Sequence, residues 1–435
     1  MLIELHYGVF LKRPNDCNGF DIVIGNPPYG AKLSEQDKKT FKTLYSDVHM
    51  RTPETFCYFT SLAFRLTRNS GITSYIVPNN LFFQNENQKT RELLIFNNTL
   101  LRAINLGDNT FENADVPTCI FISRKQTSKE TYNIMYSDYR NDKIQTINWY
   151  STVQNTQSEK LKKIPGFVLG IPLEGISLLE KIKASGELLD PLLEEMACGI
   201  STGGNKIFCI DKEKATSANL EKKALFKVLN GYEMDKYTIK SDNKFIIYTT
   251  RDFDIKSFPH IENYLIPFKA KLEKRSECKT GILPWYAMNR SRYEKLFTEP
   301  KIIFRQTADS IRCTFDDDGW FVIDSVLVLK LKSKHYDYKY ITGVLNSKVS
   351  NYLYQNFTQE EGRGFAQVKP INIRKLYIPK ASMDEQKEII QIVDRILELK
   401  KTSSEIDTTE LESKIDTLVY KLYGLTAEEI QIIER

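Results

Sequence analysis

Residues 20–30 read FDIVIGNPPYG, and this stretch says more about fold and function than any other part of the chain. The run 20–25 has the apolar, β-branched composition of a fully buried strand in a parallel sheet. It stops at residues 26–29, where two consecutive prolines fix φ and remove two backbone donors. The sequence therefore predicts a rigid corner, rich in hydrogen-bond acceptors, at the carboxyl end of a strand, where open α/β sheets bind their ligands.

Two interpretations of this corner differ in function. The first is a simple proline turn that ends a strand. The second is a pocket for an exocyclic amino group, in which the Asn26 side-chain oxygen and the Pro27 carbonyl accept its two hydrogens while Tyr29 stacks on the ring that carries it. We favour the second interpretation, because the acceptors and the aromatic ring are adjacent and follow a predicted strand.

Asn-Pro-Pro-Tyr after Gly-Phe-Asp-Ile-Val-Ile-Gly resembles the catalytic motif of gamma-class N6-adenine DNA methyltransferases, found in type IIG restriction–modification enzymes and TaqI-type methylases. The same four residues occur in methyltransferases that act on glutamine side chains or RNA bases, so the motif alone indicates amino-group methylation. The resemblance implies that Asn26, Pro27, Pro28 and Tyr29 are catalytic. It also implies S-adenosylmethionine as cofactor and adenine in double-stranded DNA as substrate.

The composition is that of a globular chain with two or three domains: 435 residues, 41% hydrophobic and 27% charged. The net charge of +5 makes DNA binding depend on a local basic cleft. The cysteines form no CxxC pair and the four histidines no metal-ligand spacing, so we expect no metal site and reduced thiols in a cytoplasmic protein. We expect neither a membrane span nor a signal peptide.

The corner is followed by a polar, lysine-rich segment over 31–52, which we expect to be a loop or a short helix. Alternating helical and strand patterns then continue through residue 125. They predict part of a Rossmann-like α/β sheet, in the order that the methyltransferase fold uses for its second half. The predicted elements are a helix over 54–68 that ends at Asn69-Ser70-Gly71, a strand over 72–77, a helix over 86–98, and strands over 101–106 and 116–122.

Two aromatic residues in this region have positions that the resemblance makes functional. Phe111 would pack on the extruded adenine, opposite Tyr29. Phe59 would pack on the adenine of the cofactor. Each also has a simpler interpretation as a core phenylalanine, since an aromatic residue on the apolar face of a helix is usually buried.

Changes in composition predict four segments: a partial methyltransferase domain over 1–165, a connecting helix over 166–190, a mixed α/β target-recognition domain over 191–380 and C-terminal helices over 381–435. Residues 196–208 resemble the opening of the recognition domain in type IIG enzymes, and we interpret the Gly203-Gly204-Asn205 turn as structural. The amphipathic helices predicted over 384–401 and 408–423 could pack locally or extend toward a partner, and we favour local packing.

Basic and aromatic residues alternate in the recognition segment, the mixture that phosphate and base contacts use. For any one arginine, a solvated surface role remains an equal alternative. The candidate DNA-binding residues are Trp285, Arg290, Arg292, Arg305 and Arg363.

The cofactor-binding half of such an enzyme has no counterpart in this sequence. In the gamma order it precedes Asn-Pro-Pro-Tyr, but 19 residues come before Phe20, where three β–α units need roughly 100. Strand 20–25 would then be an exposed apolar edge, unless another polypeptide, a longer gene product or residues 2–10 cover it. The chain is therefore interpreted as a methyltransferase that needs a separate cofactor half, or alternatively as a non-catalytic DNA-recognition subunit.

Overall fold

The structure is a computed structural model of the 435-residue chain. It describes residues 19–31, 33–51, 54–107, 116–128, 130–140, 154–162, 164–171, 173–240, 243–332, 334–358 and 366–434, except for the side chains of Gln154, Pro165 and Leu173. The chain divides into two compact units, with the boundary between Leu179 and Glu180. The first unit is called the corner unit and the second the recognition unit.

The corner unit is a mixed sheet with helices between its strands. Its strands are β1 (Phe20–Gly25), β2 (Thr67–Pro78), β3 (Thr99–Gly107), β4 (Thr118–Arg124), β5 (Asn133–Asp138) and β6 (Gln154–Gln157). Its helices are α1 (Glu35–Leu44), α2 (Thr55–Leu66), α3 (Gln88–Glu92), α4 (Ser158–Leu161) and α5 (Leu173–Ser185), the last of which continues into the recognition unit.

The strands lie in the order β1-β2-β4-β3-β5-β6. Neighbours pair in parallel for β1–β2 and β3–β5, and antiparallel for β2–β4, β3–β4 and β5–β6. Because side chains alternate along a strand, β2 buries Thr73, Tyr75 and Val77 on one face. The Tyr75 ring meets Phe121 of β4 edge to face on this side, with ring centroids 6.0 Å apart. This mixed α/β sheet confirms the predicted fold class.

Several boundaries differ from the sequence prediction. Helix α2 ends at Leu66, and Asn69 to Gly71 belong to β2, which starts directly at Thr67. The start of β2 is irregular: Ser70 has φ of 60° and the β1–β2 register shifts between Phe20 and Ile22. The second predicted helix is a short α-helix followed by a π-helical turn over Leu93–Asn97. Polar residues in an irregular strand resemble a helix stop, which explains the first error.

Strand β1 is not buried, contrary to its apolar composition. Among the described strands it pairs with β2 alone, so it forms an edge of the sheet. Ile22 is 63% exposed and Ile24 is 78% exposed. The apolar composition of residues 20–25 predicted burial. Composition cannot show whether a neighbouring strand covers the other side of β1, and this explains the error. Residues 2–10, one of the predicted covers of this edge, lie outside the described part.

The recognition unit is built from short strands and helices. Its strands are β7 (Gly186–Leu188), β8 (Leu193–Cys198), β9 (Cys209–Asp211), β10 (Leu225–Leu229), β11 (Met234–Asp235), β12 (Thr238–Ile239), β13 (Lys244–Ile247), β14 (Lys301–Arg305), β15 (Cys313–Asp316), β16 (Phe321–Val322), β17 (Val326–Leu331) and β18 (Tyr377–Pro379). Its helices are α6 (Asn205–Phe208), α7 (Lys212–Ser217), α8 (Pro259–Leu265), α9 (Lys269–Leu272), α10 (Ser276–Lys279), α11 (Lys295–Thr298), α12 (Tyr338–Asn346), α13 (Lys348–Thr358), α14 (Pro370–Ile373), α15 (Met383–Thr402), α16 (Thr409–Leu422) and α17 (Ala427–Glu434).

Two four-stranded sheets, with the orders β16-β10-β13-β9 and β15-β14-β17-β8, share an apolar core in this unit. A buried ion pair lies in the second sheet. Lys301 and Asp316 are cross-strand partners on β14 and β15, and Lys301 Nζ lies 2.5 Å from Asp316 Oδ2 with both side chains fully buried. Asp316 also accepts the backbone N–H groups of Asp318 and Trp320, so its carboxylate is well satisfied.

The C-terminal helices pack on this unit, as predicted. Helix α15 begins with a capping box, in which Ser382 and Glu385 each accept the other's backbone N–H. Gly343 of α12 lies where α15 and α16 approach it: a Cβ there would stand 2.8 Å from Ile389 Cγ2 and 3.7 Å from Ile415 Cγ2. The missing side chain at Gly343 therefore lets the three helices meet.

The described residues include no helix that is both long and apolar enough to cross a membrane. The cysteines among them, of which Cys57, Cys119 and Cys313 are buried, are all free thiols.

Candidate active site and nucleic-acid interface

The Asn-Pro-Pro-Tyr corner follows β1 directly. Asn26 is exposed, Pro27 is buried and Tyr29 is half-buried. Within the described part of the chain, neither the Asn26 side chain nor the Pro27 carbonyl has a hydrogen-bond partner. The corner therefore combines an exposed side-chain carbonyl at Asn26 with a buried backbone carbonyl at Pro27 that no described donor satisfies.

Tyr29 is fixed to the neighbouring strand through its hydroxyl. The hydroxyl donates to the Ile76 carbonyl of β2 at 2.9 Å. Burial raises the pKa of Tyr29 to about 12, so the phenol stays protonated and keeps donating throughout the physiological range. The ring position is thus set by the sheet, beside the strand that leads into the corner.

A second bond, which could not be expected from the sequence, holds Pro28. The Thr55 hydroxyl, at the start of α2, donates to the Pro28 carbonyl at 2.7 Å. Pro28 and Tyr29 are therefore tied to two different elements. Gly30, which follows with φ of 60°, provides the left-handed turn that takes the chain away.

Strands β1, β2 and β3 run in the same direction, because β1 is parallel to β2 and both β2 and β3 are antiparallel to β4. Their carboxyl ends therefore lie together along one side of the sheet, called here the carboxyl edge. At the carboxyl edge, Asn79 Nδ2 donates to Asn105 Oδ1 at 3.2 Å, in a buried amide pair. Gly107 ends β3 at the same edge. Phe111 follows it in the chain but lies outside the described residues, as does Lys32.

Helix α1 contacts α2 through Phe41 and Tyr58, whose ring centroids lie 5.1 Å apart, and the segment that follows α1 is held to α2 by polar contacts. His49 Nδ1 lies 2.7 Å from the Tyr58 hydroxyl, and Ser61 Oγ donates to Asp47 Oδ2 at 2.7 Å. Burial, with nearby lysines, lowers the pKa of His49. Lys39 and Lys42 stay exposed on α1. This segment is thus a positioned helix with two exposed lysines.

Phe59 is half-buried on α2 and offers one aromatic face. The resemblance also requires a glycine-rich turn and acidic groups for the cofactor's ribose, and the sequence has no such motif in the expected order. The described residues therefore do not by themselves fit a complete S-adenosylmethionine site. They also contain no group of three or more His, Cys, Asp or Glu side chains that could hold a metal ion.

Several candidate DNA-binding residues have structural contacts in the recognition unit. Arg292 has φ of 61°, and its Nε donates to the Cys198 carbonyl at 2.9 Å. Trp285 packs half-buried against the core, with Lys269 Nζ 5.5 Å from its ring centroid. Arg275, which the sequence did not single out, donates to the Trp285 carbonyl at 2.7 Å.

Arg275 also supports the glycine turn. It donates to the Thr202 carbonyl at 3.2 Å and to Asn289 Oδ1 at 2.9 Å. A Cβ at Gly203, where φ is 71°, would stand 2.4 Å from Asn289 Oδ1. The turn is therefore structural, as expected. Its glycine is required by a close approach and by backbone conformation together.

Two further candidates lie in the described part of the chain. Arg290 is exposed, and its backbone pairs with Ser201. Arg305 ends β14 with its guanidinium carbon 5.3 Å from the ring centroid of Tyr232. Arg363 lies outside the described residues.

Comparisons with known proteins agree with this division into two regions. Residues 4–111 match the Eco57I restriction-modification methylase family, and residues 226–378 match the TaqI-like C-terminal specificity domain. The solved structure of the Type IIL restriction-modification enzyme MmeI in complex with DNA covers 95% of this chain and 56% of its own, with a TM-score of 0.63 and 14% identity. At this identity the likeness concerns the fold.

Two curated relatives align along nearly the whole chain. A putative type II restriction enzyme and methyltransferase of Methanocaldococcus jannaschii, RM.MjaORFECS2P, is 24% identical over 97% of this chain and 32% of its own length. Type II methyltransferase M.BstVI of Geobacillus stearothermophilus is 18% identical over 100% of this chain and 78% of its own. The chain thus spans about a third of the first relative. With a region that matches a methylase family followed by one that matches a specificity domain, the chain is similar to the TaqI-type restriction–modification methyltransferases.

Proposed function

We propose that the chain carries the adenine-binding and target-recognition parts of a DNA adenine-N6 methyltransferase, the modification part of a type IIG restriction–modification enzyme. The observation that carries this proposal is the corner itself. Asn26 is exposed at the end of β1, and the segment behind it is anchored by the Tyr29–Ile76 and Thr55–Pro28 bonds. A fixed pair of carbonyl acceptors suits an amino group with two hydrogens.

In this proposal the target adenine leaves the duplex and enters the corner. Asn26 Oδ1 and the Pro27 carbonyl accept the two hydrogens of the N6 amino group and orient its lone pair. Tyr29 packs against the base, and Phe111 is its proposed counterpart on the other face. Methyltransferases of this kind take the methyl group from S-adenosylmethionine, and Phe59 is a proposed contact of that cofactor. An enzyme that acts on cellular DNA is expected in the cytoplasm.

The decisive variant is Asn26→Ala in the full chain with a complementing cofactor half present, assayed for N6-methyladenine in duplex DNA by nucleoside mass spectrometry. If the proposal holds, methylation falls by at least about a hundredfold while DNA affinity is unchanged, because positioning supplies most of the acceleration. Asn69→Ala, at an exposed asparagine of β2, serves as the matched control. Unchanged methylation in Asn26→Ala would refute the proposed role of the corner.

A second candidate function is a non-catalytic DNA-recognition subunit. The exposure of Ile22 and Ile24 favours a chain whose sheet is completed by a separate cofactor-binding polypeptide, since apolar sheet edges are usually covered. Titration of S-adenosylmethionine into the chain by calorimetry separates the cases. Micromolar binding supports a cofactor site within the chain. No binding, together with no methylation in the presence of any complementing cofactor half, supports the recognition subunit.

A further inference from the structure

Tyr232 is the most exposed of the large hydrophobic side chains described in the recognition unit, at 73% of its surface. It lies on the short turn Asn230–Glu233, here called the Tyr232 turn, between β10 and β11. A tyrosine combines a large apolar face with little conformational entropy, so a rigidly held and exposed one is suited to contact a partner. Exposure alone identifies no partner, and its surroundings must do so.

The backbone of the Tyr232 turn is locked. Asn230 and Glu233 form a capping box, with Asn230 Oδ1 accepting the Tyr232 N–H at 2.8 Å and Glu233 Oε2 accepting the Asn230 N–H at 2.9 Å. Gly231 N–H donates to Ser325 Oγ at 3.0 Å, and a Cβ at Gly231 would stand 2.7 Å from the Ser325 carbonyl. The tyrosine is thus fixed at its base while its ring remains in solvent.

Arg305 lies beside this ring and is held on two sides. Its Nε donates to the Thr307 carbonyl at 3.0 Å, and its guanidinium carbon lies 5.3 Å from the Tyr232 ring centroid, within the range of a cation–π contact. In the described part of the chain, the two terminal nitrogens of Arg305 have no hydrogen-bond partner. The fork of donors is therefore oriented and still available.

Such a fork fits two adjacent acceptors in one plane. In duplex DNA the O6 and N7 atoms of guanine offer this pattern in the major groove, and arginine is their commonest specific partner. A phosphate would also satisfy a positive charge, but it does not need an arginine fixed by an aromatic ring and a carbonyl. The amide side chain of Gln306 follows on the same strand end, next to a backbone pinned by the Val368 N–H at 2.8 Å.

We propose that Arg305 reads a guanine base in the target sequence through its two terminal nitrogens, and that Tyr232 is the positioning residue that holds the guanidinium for this contact. The inference rests on the proposed function, because it assumes that the recognition unit contacts duplex DNA. It adds the base that is read, the atoms that read it and a residue that the sequence did not indicate.

In the test, the wild-type full chain first selects the duplexes that it binds from a pool of random sequence. The affinities of the wild type and the variants are then measured for the selected duplex and for duplexes with single base-pair changes. The variants are Arg305→Lys, Tyr232→Ala and Tyr232→Phe. Arg395→Lys, at an exposed arginine of α15, is the matched control. Arg305→Lys keeps the charge but loses the fork, so discrimination at one G·C pair falls by about tenfold while the salt dependence of binding is unchanged.

Tyr232→Ala weakens the same discrimination, and Tyr232→Phe, which retains the aromatic face, restores it. The inference is overturned if Arg305→Lys selects the wild-type sequence with equal discrimination. It is also overturned if loss of charge in Arg305→Ala weakens all duplexes equally and lowers the salt slope by about one, which indicates a phosphate contact. A wild-type chain that binds no duplex at all refutes the proposed function itself, and a partner other than DNA must then explain Tyr232.

Discussion

Two hydroxyl groups determine how the Asn-Pro-Pro-Tyr corner is held. Tyr29 reaches the Ile76 carbonyl in the adjacent strand, and Thr55 reaches the Pro28 carbonyl from the first turn of α2. Each bond restrains a proline-rich segment that has few donors of its own. The position of Asn26 therefore depends on residues outside its proposed contact with an amino group.

Replacement of Thr55 by valine removes one of these bonds at nearly constant volume. We expect the rate of adenine methylation to fall between twofold and tenfold, corresponding to a bond worth about 0.5–1.5 kcal/mol. DNA affinity should not change, and Thr55→Ser should restore the rate, because serine keeps the hydroxyl. Single-turnover methylation kinetics measure the effect; a Thr55→Val rate equal to wild type would show that the corner needs no such restraint.

The residues of the corner could be predicted from sequence, whereas their supports could not. Consecutive prolines after a β-branched run fix local conformation wherever they occur, so the strand end and its acceptors follow from residues 20–29 alone. The Thr55 bond spans 27 residues and exists only once α2 has packed beside the corner. Tyr232 was missed for a similar reason, because its arginine neighbour is far away in the chain.

At the scale of strands and helices, β14 and β15 are joined by the Lys301–Asp316 pair in the core. The lysine's remaining contact is the Phe297 carbonyl, and the aspartate accepts two further backbone N–H groups. A charge placed here without its partner would have no water to stabilise it. The two strands are therefore linked by an interaction in which neither residue tolerates loss of the other.

Lys301→Met leaves the Asp316 carboxylate buried and unpaired, and we expect the free energy of unfolding to fall by about 3–5 kcal/mol. Lys301→Met combined with Asp316→Asn should recover most of this loss, since asparagine is neutral and still accepts the backbone N–H groups. Urea unfolding followed by circular dichroism measures both variants. A loss below about 1 kcal/mol for the single variant would mean that the pair behaves like an exposed one.

Element types were more predictable than their surroundings. Periodicity identified the strands now assigned as β2, β3 and β4, with errors at the ends where polar residues continue a strand. It could not show that β1 forms an edge, because a buried strand and an exposed one have the same composition when a neighbouring strand lies elsewhere. The buried ion pair was equally hidden, since Lys301 and Asp316 occur in a charged sequence.

For the molecule as a whole, the apolar edge at β1 is the feature with the widest consequences. Ile22 and Ile24 expose most of their surface on a strand whose pairing edge is open among the described strands. A flat, apolar edge is a template for another strand, whether from a cofactor-binding polypeptide or from a second copy of the chain. Association through β1 should therefore dominate the solution behaviour of the protein.

Ile24→Lys tests this expectation. We expect the variant to lose concentration-dependent self-association while its free energy of unfolding changes by less than about 0.5 kcal/mol, because the side chain is already exposed. Sedimentation velocity over a range of concentrations measures the association. Ile266→Lys, which changes an isoleucine that is also exposed in the recognition unit, should leave association unaltered. Equal behaviour of the two variants would rule out β1 as the contact.

The locked backbone of the Tyr232 turn has a consequence for evolution. Its restraints come from the Asn230–Glu233 box and from Ser325, so the side chain at 232 can be exchanged without loss of these bonds. Under the proposed base contact, mutations at positions 232 and 305 would change the target sequence. Under that proposal, such positions are where new specificities would arise first.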